Sequence, residues 1–181
     1  MKFNELNIGN EILRALDDLG YEKASPIQEE SIPHLLEGSD LIGKSQTGSG
    51  KTAAFAIPII ENIEANGVTQ ALILCPTREL CIQVSKEIEK LCKYKKEIRI
   101  LPVYGGSHIV KQIKSLKKGV EIVVGTPGRL MDLMRRKVLK LDQVKVVVLD
   151  EADEMFDMGF RDDMKFILDR TNRDRQTCFF S

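Results

Sequence analysis

The stretch Asp40-Leu41-Ile42-Gly43-Lys44-Ser45-Gln46-Thr47-Gly48-Ser49-Gly50-Lys51-Thr52 joins a short apolar run to a glycine-rich loop, and a helix follows from about Ala53. Strand, loop and helix in that order form a phosphate-binding unit. Glycines let backbone N–H groups turn inward around a phosphate, and the helix N-terminus adds its positive dipole end. Lys51 can reach the β- and γ-phosphates of a nucleotide, and the Thr52 hydroxyl can ligate Mg²⁺. The loop Ser45, Gln46, Thr47, Gly48, Ser49, Gly50, Lys51, Thr52 departs from the generic pattern only at Ser45, where glycine is usual. A small serine is compatible with that position.

Working outward, further apolar, β-branched runs recur at Ala71–Cys75, Ile98–Val103, Glu121–Gly125, Val144–Asp150 and Thr177–Ser181. Most are continuous rather than alternating, as strands covered on both faces are. Between them lie helical patterns. Glu79–Lys95 puts Leu80, Val84, Ile88 and Leu91 on one stripe, and Asn10–Leu19 and Pro26–Leu35 form a helical prefix. Alternating strands and helices predict an α/β fold with a mostly parallel, doubly wound sheet flanked by helices, built as a single domain over residues 1–181. In such sheets ligands gather outside the carboxyl ends of the strands. The glycines, prolines and small polar residues of this chain cluster there.

One such end supplies the partner of the P-loop. The run Val144–Leu149 delivers Asp150-Glu151-Ala152-Asp153. Asp150 can hold Mg²⁺ through its water shell, and Glu151 can orient or deprotonate an attacking water. Alone, these acids would be read as a helix N-terminus favoured by the dipole. With a P-loop upstream they complete a Mg²⁺–ATP site.

Composition narrows the possible partners. The chain has 181 residues, 43% hydrophobic and 30% charged, with 27 basic and 27 acidic side chains and no net charge. A nucleic acid would therefore be held by placed donors on one face, not by a global positive field. The basic clusters Lys93–Lys96 and Arg135–Lys137 read as solvated helix ends. Cys75, Cys81, Cys92 and Cys178 show no CxxC spacing and mostly lie in apolar runs, which suggests reduced, packed thiols in a cytoplasmic protein. Met1–Gly20 is polar, without a secretory apolar region. The longest apolar stretch, Ala53–Ile60, contains Pro58 and falls far short of the roughly 20 residues that span a bilayer. His34 and His108 are isolated and read as surface or packing residues. Met155, Phe156, Met158 and Phe160 have spacings of helix packing.

The combination Thr47-Gly48-Ser49-Gly50-Lys51-Thr52 and Asp150-Glu151-Ala152-Asp153 resembles the first RecA-like lobe of a DEAD-box ATP-dependent RNA helicase, and the resemblance covers essentially the whole chain. Gly20–Gln28 is similar to the family's Q motif within a prefix of about 1–36, and Phe3 stands where its isolated upstream aromatic does. Pro76-Thr77-Arg78-Glu79-Leu80, Gly105-Gly106 and Thr126-Pro127-Gly128-Arg129 fall in the family's order, with Cys81 where alanine is usual. By itself Ser25-Pro26-Ile27-Gln28 is a helix start, with Ser25 as N-cap and Gln28 closing a capping box. The resemblance implies a second role: the Gln28 amide accepts from adenine N6 and donates to N7, with Tyr21 against the base and Lys23 nearby. The loops at Thr77, Ser107 and Thr126 are by themselves ordinary helix caps. The resemblance makes Pro76, Thr77, Arg78, Gly105, Gly106, Thr126, Pro127, Gly128 and Arg129 contacts to an RNA backbone, sequence-independent, weak in this lobe alone and shallow in salt dependence.

The chain stops at Ser181, where the family continues through Ser-Ala-Thr into a second RecA-like lobe that supplies arginine fingers. Little turnover is therefore expected of this lobe alone. Asp153 is expected to couple the two ligands through polar contact with Ser181 and the Gln28 region. Two alternatives remain at this stage: a nucleotide-dependent RNA or protein clamp that does not unwind, and another P-loop enzyme such as a DNA motor or a small-molecule kinase.

Overall fold

The computed structural model describes residues 1–181. Six strands form one sheet: β1 (Leu41–Gly43), β2 (Ala71–Leu74), β3 (Ile100–Val103), β4 (Ile122–Gly125), β5 (Val146–Asp150) and β6 (Gln176–Phe180). Every pairing is parallel, in the order β1-β6-β5-β2-β4-β3. The sheet is thus wholly parallel, where the sequence predicted a mostly parallel one. Between and around the strands run α1 (Asn10–Asp18), α2 (Pro26–Leu36), α3 (Lys51–Asn62), α4 (Arg78–Leu91), α5 (Ile109–Lys118), α6 (Pro127–Arg135), α7 (Ala152–Asp157) and α8 (Arg161–Leu168).

Strand parity divides the core in two. Ala71, Ile73, Ile122, Val124, Val146 and Val148 face one layer with α1 to α4. Leu72, Leu74, Val123, Val147 and Leu149 face the other, with α6, α7 and α8. Side chains alternate across a strand, so β2, β4 and β5 are buried at every position. This burial explains their unbroken apolar sequence. Parity also aims Asp150 into the same layer as Val146 and Val148, which is the layer of α3. The P-loop helix and the acidic strand end are therefore on one side of the sheet by construction.

Two helix limits differ from the sequence prediction. The pattern Glu79–Lys95 continues past the true end of α4 because Lys93 and Tyr94 turn away to bond Asp18 of α1, with Lys93 Nζ 2.6 Å from its Oδ2. Ser107 does not cap α5. The helix starts one residue later, with His108 at the N-cap, because Gly106 turns left-handed at φ 80° and the Ser107 carbonyl is held by Arg129.

Candidate functional site

The loops that follow β1 and β5, with Ser181 after β6 between them, lie side by side at the carboxyl edge of the sheet, and the loops that follow β2, β4 and β3 continue along it. The first group forms a glycine-rich cradle. Gly48 and Gly50 take φ of 80° and 85°, a left-handed conformation that costs glycine nothing and other residues strain. At Gly50 the need is double, since an added Cβ would collide with the Gln28 amide. The loop is tied at its start by backbone: Ser45 N donates to Ser181 O at 3.0 Å, and Ser181 N donates to Gly43 O at 3.1 Å.

Lys51, in the first turn of α3, reaches across to β5. Its Nζ lies 3.2 Å from Asp150 Oδ1 and is hydrogen bonded to Glu151 Oε1. Asp150 is fully buried, yet neither carboxylate oxygen has an aligned hydrogen-bond donor. Burial pushes its carboxyl above the ordinary value, against the pull of the Lys51 charge, with Glu151 adding to the rise. Burial works to lower the Lys51 ammonium, but the Glu151 hydrogen bond and the Asp150 charge outweigh it and raise its pKa. Glu151 itself sits at φ 54°, ψ 49° as the N-cap of α7. A left-handed non-glycine residue is strained, and such residues gather at functional positions.

Unpaired polar atoms concentrate here. Seven buried side-chain polar atoms of the chain lack a partner, and five belong to Ser25, Ser45, Ser49 and Asp150. Ser25 Oγ lies 3.3 Å from where a Gly50 Cβ would be, so all five line the P-loop region. Buried polar groups are normally satisfied, so a cluster of orphans points to a polar ligand. Asp150 in particular offers a buried, anionic, acceptor-only group, which fits a hard cation with oxygen ligands.

Gln28 is buried, and both ends of its amide are used. Oε1 accepts from Ser25 N at 2.9 Å, and Nε2 donates to Gly50 O at 3.0 Å. Ser25 is indeed the N-cap residue, but its hydroxyl makes no cap hydrogen bond. An amide oxygen accepts twice and an amide nitrogen donates twice, so one acceptor site and one donor site remain for a ligand. Tyr21 is 44% exposed beside Ala53 and Leu91 in a 150 Å³ recess. Lys23 is exposed and pairs by backbone with Lys2. Phe3 is buried in the same core layer as α3.

Asp153 is exposed and makes no hydrogen bond, so the expected polar contact with Ser181 is not formed. The first turn of α7 points it outward. The link to the P-loop runs instead through the backbone of Ser181.

The second group of loops is cross-braced. Thr77 caps α4 by accepting from Leu80 N at 3.2 Å. The Arg78 guanidinium lies over the Tyr104 ring at 5.1 Å. Arg129 turns inward: it donates to Gln112 Oε1 at 2.9 Å and approaches the Ser107 carbonyl at 3.4 Å, while Gln112 Nε2 donates to Tyr104 O at 3.3 Å. Thr126 stands at the N-cap of α6 without a side-chain cap bond. Pro76 and Pro127 are buried and shape their loops, while Arg78, Gly105, Gly106 and Gly128 are exposed. Tyr104 and Gln112 were not singled out in the sequence. Gln112 carried a signal: a polar residue inside the apolar stripe Ile109, Ile113, Leu116 of α5. Of the four residues after the acidic motif, Met155 is buried and Phe160 packs on the core, whereas Phe156 and Met158 are each 48% exposed.

The four cysteines are free and buried, in keeping with packed thiols. No helix is long and apolar enough to cross a membrane.

Comparison with known proteins gives one consistent result. A family model described as DEAD/DEAH box helicase matches residues 25–181. The chain is 56% identical over 182 residues to the ATP-dependent RNA helicase CshA of Listeria monocytogenes, covering 99% of this chain and 35% of that protein. It is 52% identical to the DEAD-box ATP-dependent RNA helicase CshA of Streptococcus pneumoniae, covering 100% of this chain and 34% of that protein. It superposes with a TM-score of 0.95 and 49% identity on the crystal structure of a DEAD box protein from the hyperthermophile Methanococcus jannaschii, covering 100% of this chain and 50% of that one. The chain thus spans about a third of the length of these curated relatives.

Proposed function

This chain belongs to the DEAD/DEAH box helicase family, and we propose that residues 1–181 form the ATP- and RNA-binding N-terminal lobe of an ATP-dependent RNA helicase, with a Q-motif prefix over about 1–36. The observation that carries this is the Lys51 ammonium held between Asp150 and Glu151 under a loop lined by unpartnered serines. A cation in the first turn of a helix, facing two carboxylates it can exchange for phosphates, is suited to capture a nucleotide tail.

Mg²⁺–ATP, when bound, supplies the phosphoanhydride that is cleaved and an ion to neutralise its charge. Thr52 and Asp150 are the residues that would hold the ion. The loop Ser45–Gly50 turns its N–H groups on the phosphates. Lys51 transfers from the carboxylates to the phosphate tail, which frees Glu151. The Glu151 carboxylate then accepts a proton from the attacking water and orients it. Gln28 uses its spare acceptor and donor on the adenine edge with Tyr21 and Lys23 bordering the base, and its bond to Gly50 O carries base occupancy to the end of the P-loop.

RNA lies along Thr77, Arg78, Gly105, Gly106, Thr126 and Gly128, with Pro76, Pro127 and Arg129 shaping the loops. Backbone N–H groups and small residues there suit sugar and phosphate, not base edges. Asp153, exposed on this edge, faces the second lobe. The relatives' length leaves room for that lobe. An arginine finger supplied by it contributes roughly 10³–10⁵ in rate, so residues 1–181 alone bind nucleotide and turn over poorly. In the longer protein, closing the lobes would open a short duplex or remodel an RNA–protein complex, in the cytoplasm.

RNA-stimulated ATP hydrolysis by the longer protein tests this. We expect stimulation by single-stranded RNA and its loss in Glu151→Gln with nucleotide affinity retained. Preferential stimulation by DNA, or full activity in Glu151→Gln, would refute the assignment.

A further inference from the structure

We propose that the lysine face of α5, formed by Lys111, Lys114 and Lys118, is a second phosphate-binding track that carries single-stranded RNA past the strand-end loops; this rests on the RNA-binding role given to those loops.

Charge is distributed unevenly in this neutral chain. Helix α5 holds Lys111, Lys114, Lys117 and Lys118 and no acidic residue. All four are exposed and none takes part in an ion pair. Elsewhere Arg136 is matched by Asp132 and Lys165 by Asp169, each one turn away, while Arg14, Lys86, Lys90, Arg135 and Arg161 are exposed without an ion pair. What sets α5 apart is four exposed lysines on a helix with no acid at all. Lys117 and Lys118 are accounted for by the negative end of the helix dipole. Lys111 is not. It occupies the first turn, where a cation opposes the dipole and where α1, α2, α4, α7 and α8 carry Glu11, Glu29, Glu79, Asp153 and Asp162.

Only α3, α5 and α6 lack an acid in the first turn. In α3 and α6 the cation there turns to internal partners, Lys51 to Asp150 and Glu151 and Arg129 to Gln112. Of these three cations only Lys111 faces solvent without a partner. Lys114 and Lys118 follow at i+3 and i+7 on the same face, an advance of about 10 Å along the helix. The opposite face, Ile109, Ile113 and Leu116, packs on the core.

Position gives the face its partner. The loops after β2, β4 and β3 lie in that spatial order, and β3 is the sheet edge. Helix α5 begins directly after Gly105-Gly106 and is the element that follows β3. A strand laid across the three loops leaves the protein beside α5. Flexible ammonium groups suit a mobile phosphate backbone as point charges, without base readout.

The test is fluorescence anisotropy on this chain with labelled oligouridylates of about six and about fifteen nucleotides, within the range of single-stranded site sizes, over a low-salt series. We expect the longer RNA to bind more tightly and with a steeper salt slope. In Lys111→Gln/Lys114→Gln, affinity for the longer RNA should fall about five-fold or more, and its slope should shrink by about 1.4, or 0.7 for each phosphate contact. Affinity for the short RNA and for ADP should stay unchanged. Lys86→Gln/Lys90→Gln, exposed on α4, removes the same charge and should leave both RNAs unaffected. An unchanged length effect in the α5 variant, or an equal loss in the α4 control, overturns the track while leaving the loop assignment intact. Failure of the wild-type chain to bind either RNA overturns both.

Discussion

Lys51 Nζ lies 3.2 Å from Asp150 Oδ1 while it also hydrogen bonds Glu151, so one ammonium is shared by two of the three carboxylates of the acidic motif. The side chains of Lys51 and Asp150 are 11% and 0% exposed. A charge pair this buried is costly to break from one side only, about 3–5 kcal/mol, because the survivor is left uncompensated. Lys51→Ala should therefore destabilise the chain by about 3 kcal/mol in urea unfolding. Adding Asp150→Asn should recover most of that loss, giving a strongly non-additive cycle. Additive effects would show that the pair does not form in solution.

Asp150→Asn alone should stabilise, because Lys51 keeps its partner Glu151 and is not left uncompensated, while the buried carboxylate's desolvation outweighs its attraction to the ammonium. The carboxylate lacks aligned donors and burial raises its pKa. A folded value above the unfolded 3.8 means that the folded state holds the proton more tightly, so stability falls as pH climbs from about 3.8 through the folded value. Asparagine removes that fall. We expect a gain of at least ~1 kcal/mol at neutral pH, or about 2–4 °C in Tm, together with weaker Mg²⁺-dependent nucleotide binding. The Lys51 contribution has the opposite window: its raised pKa means stability is fully present below 10.5 and lost as pH rises through the folded value. Calorimetry across pH separates the two.

Gln28→Ala should reduce the preference for ADP over GDP by about 1–3 kcal/mol, the discrimination expected of a bidentate contact to a base. It also removes the bonds to Ser25 N and Gly50 O, so some stability is lost as well. Gln28→Glu is the sharper variant, since it keeps the acceptor toward Ser25 and loses the donor. An ADP to GDP ratio unchanged in both variants would leave Gln28 as a helix cap only.

Gln112→Leu should weaken RNA binding without changing ADP affinity. Its amide joins Arg129 to the Tyr104 carbonyl. Removing it leaves a half-buried guanidinium without its acceptor, at a cost of about 1 kcal/mol. RNA anisotropy and nucleotide titration on the same preparation distinguish this from general unfolding, which would depress both.

Thiol reagents should find no reactive cysteine in the native chain and four after unfolding. All four are buried, and burial pushes Cys92 and Cys178 up to about 12. The thiolate is the reactive form. Rapid native labelling would place these residues in a more open layer than the one described.

The sequence made some of this legible and left some hidden, for physical reasons. Strands β2, β4 and β5 were readable because burial on both faces writes an unbroken apolar run. The strand order was not, since nothing local says that β6 inserts between β1 and β5. That Lys51, Asp150 and Glu151 share one site was implied by the motifs, because each chemistry needs the other; their direct ion pairing was not. The left-handed backbone at Glu151 and the inward turn of Arg129 depend on tertiary neighbours and leave no local pattern. Asp153 misled for the same reason: its letter sits in the motif, but its direction is set by the turn into α7.

The central claim is that nucleotide and RNA occupy adjacent but distinct halves of one sheet edge. Backbone amide chemical-shift mapping of the 181-residue chain, titrated separately with Mg²⁺–ADP and with short single-stranded RNA, tests it most directly. We expect ADP to perturb Gln28, Ser45–Thr52 and Asp150–Glu151, and RNA to perturb Thr77–Arg78, Gly105–Ser107 and Thr126–Arg129. Overlapping perturbations from the two ligands, or RNA shifts confined to faces away from these loops, would contradict it.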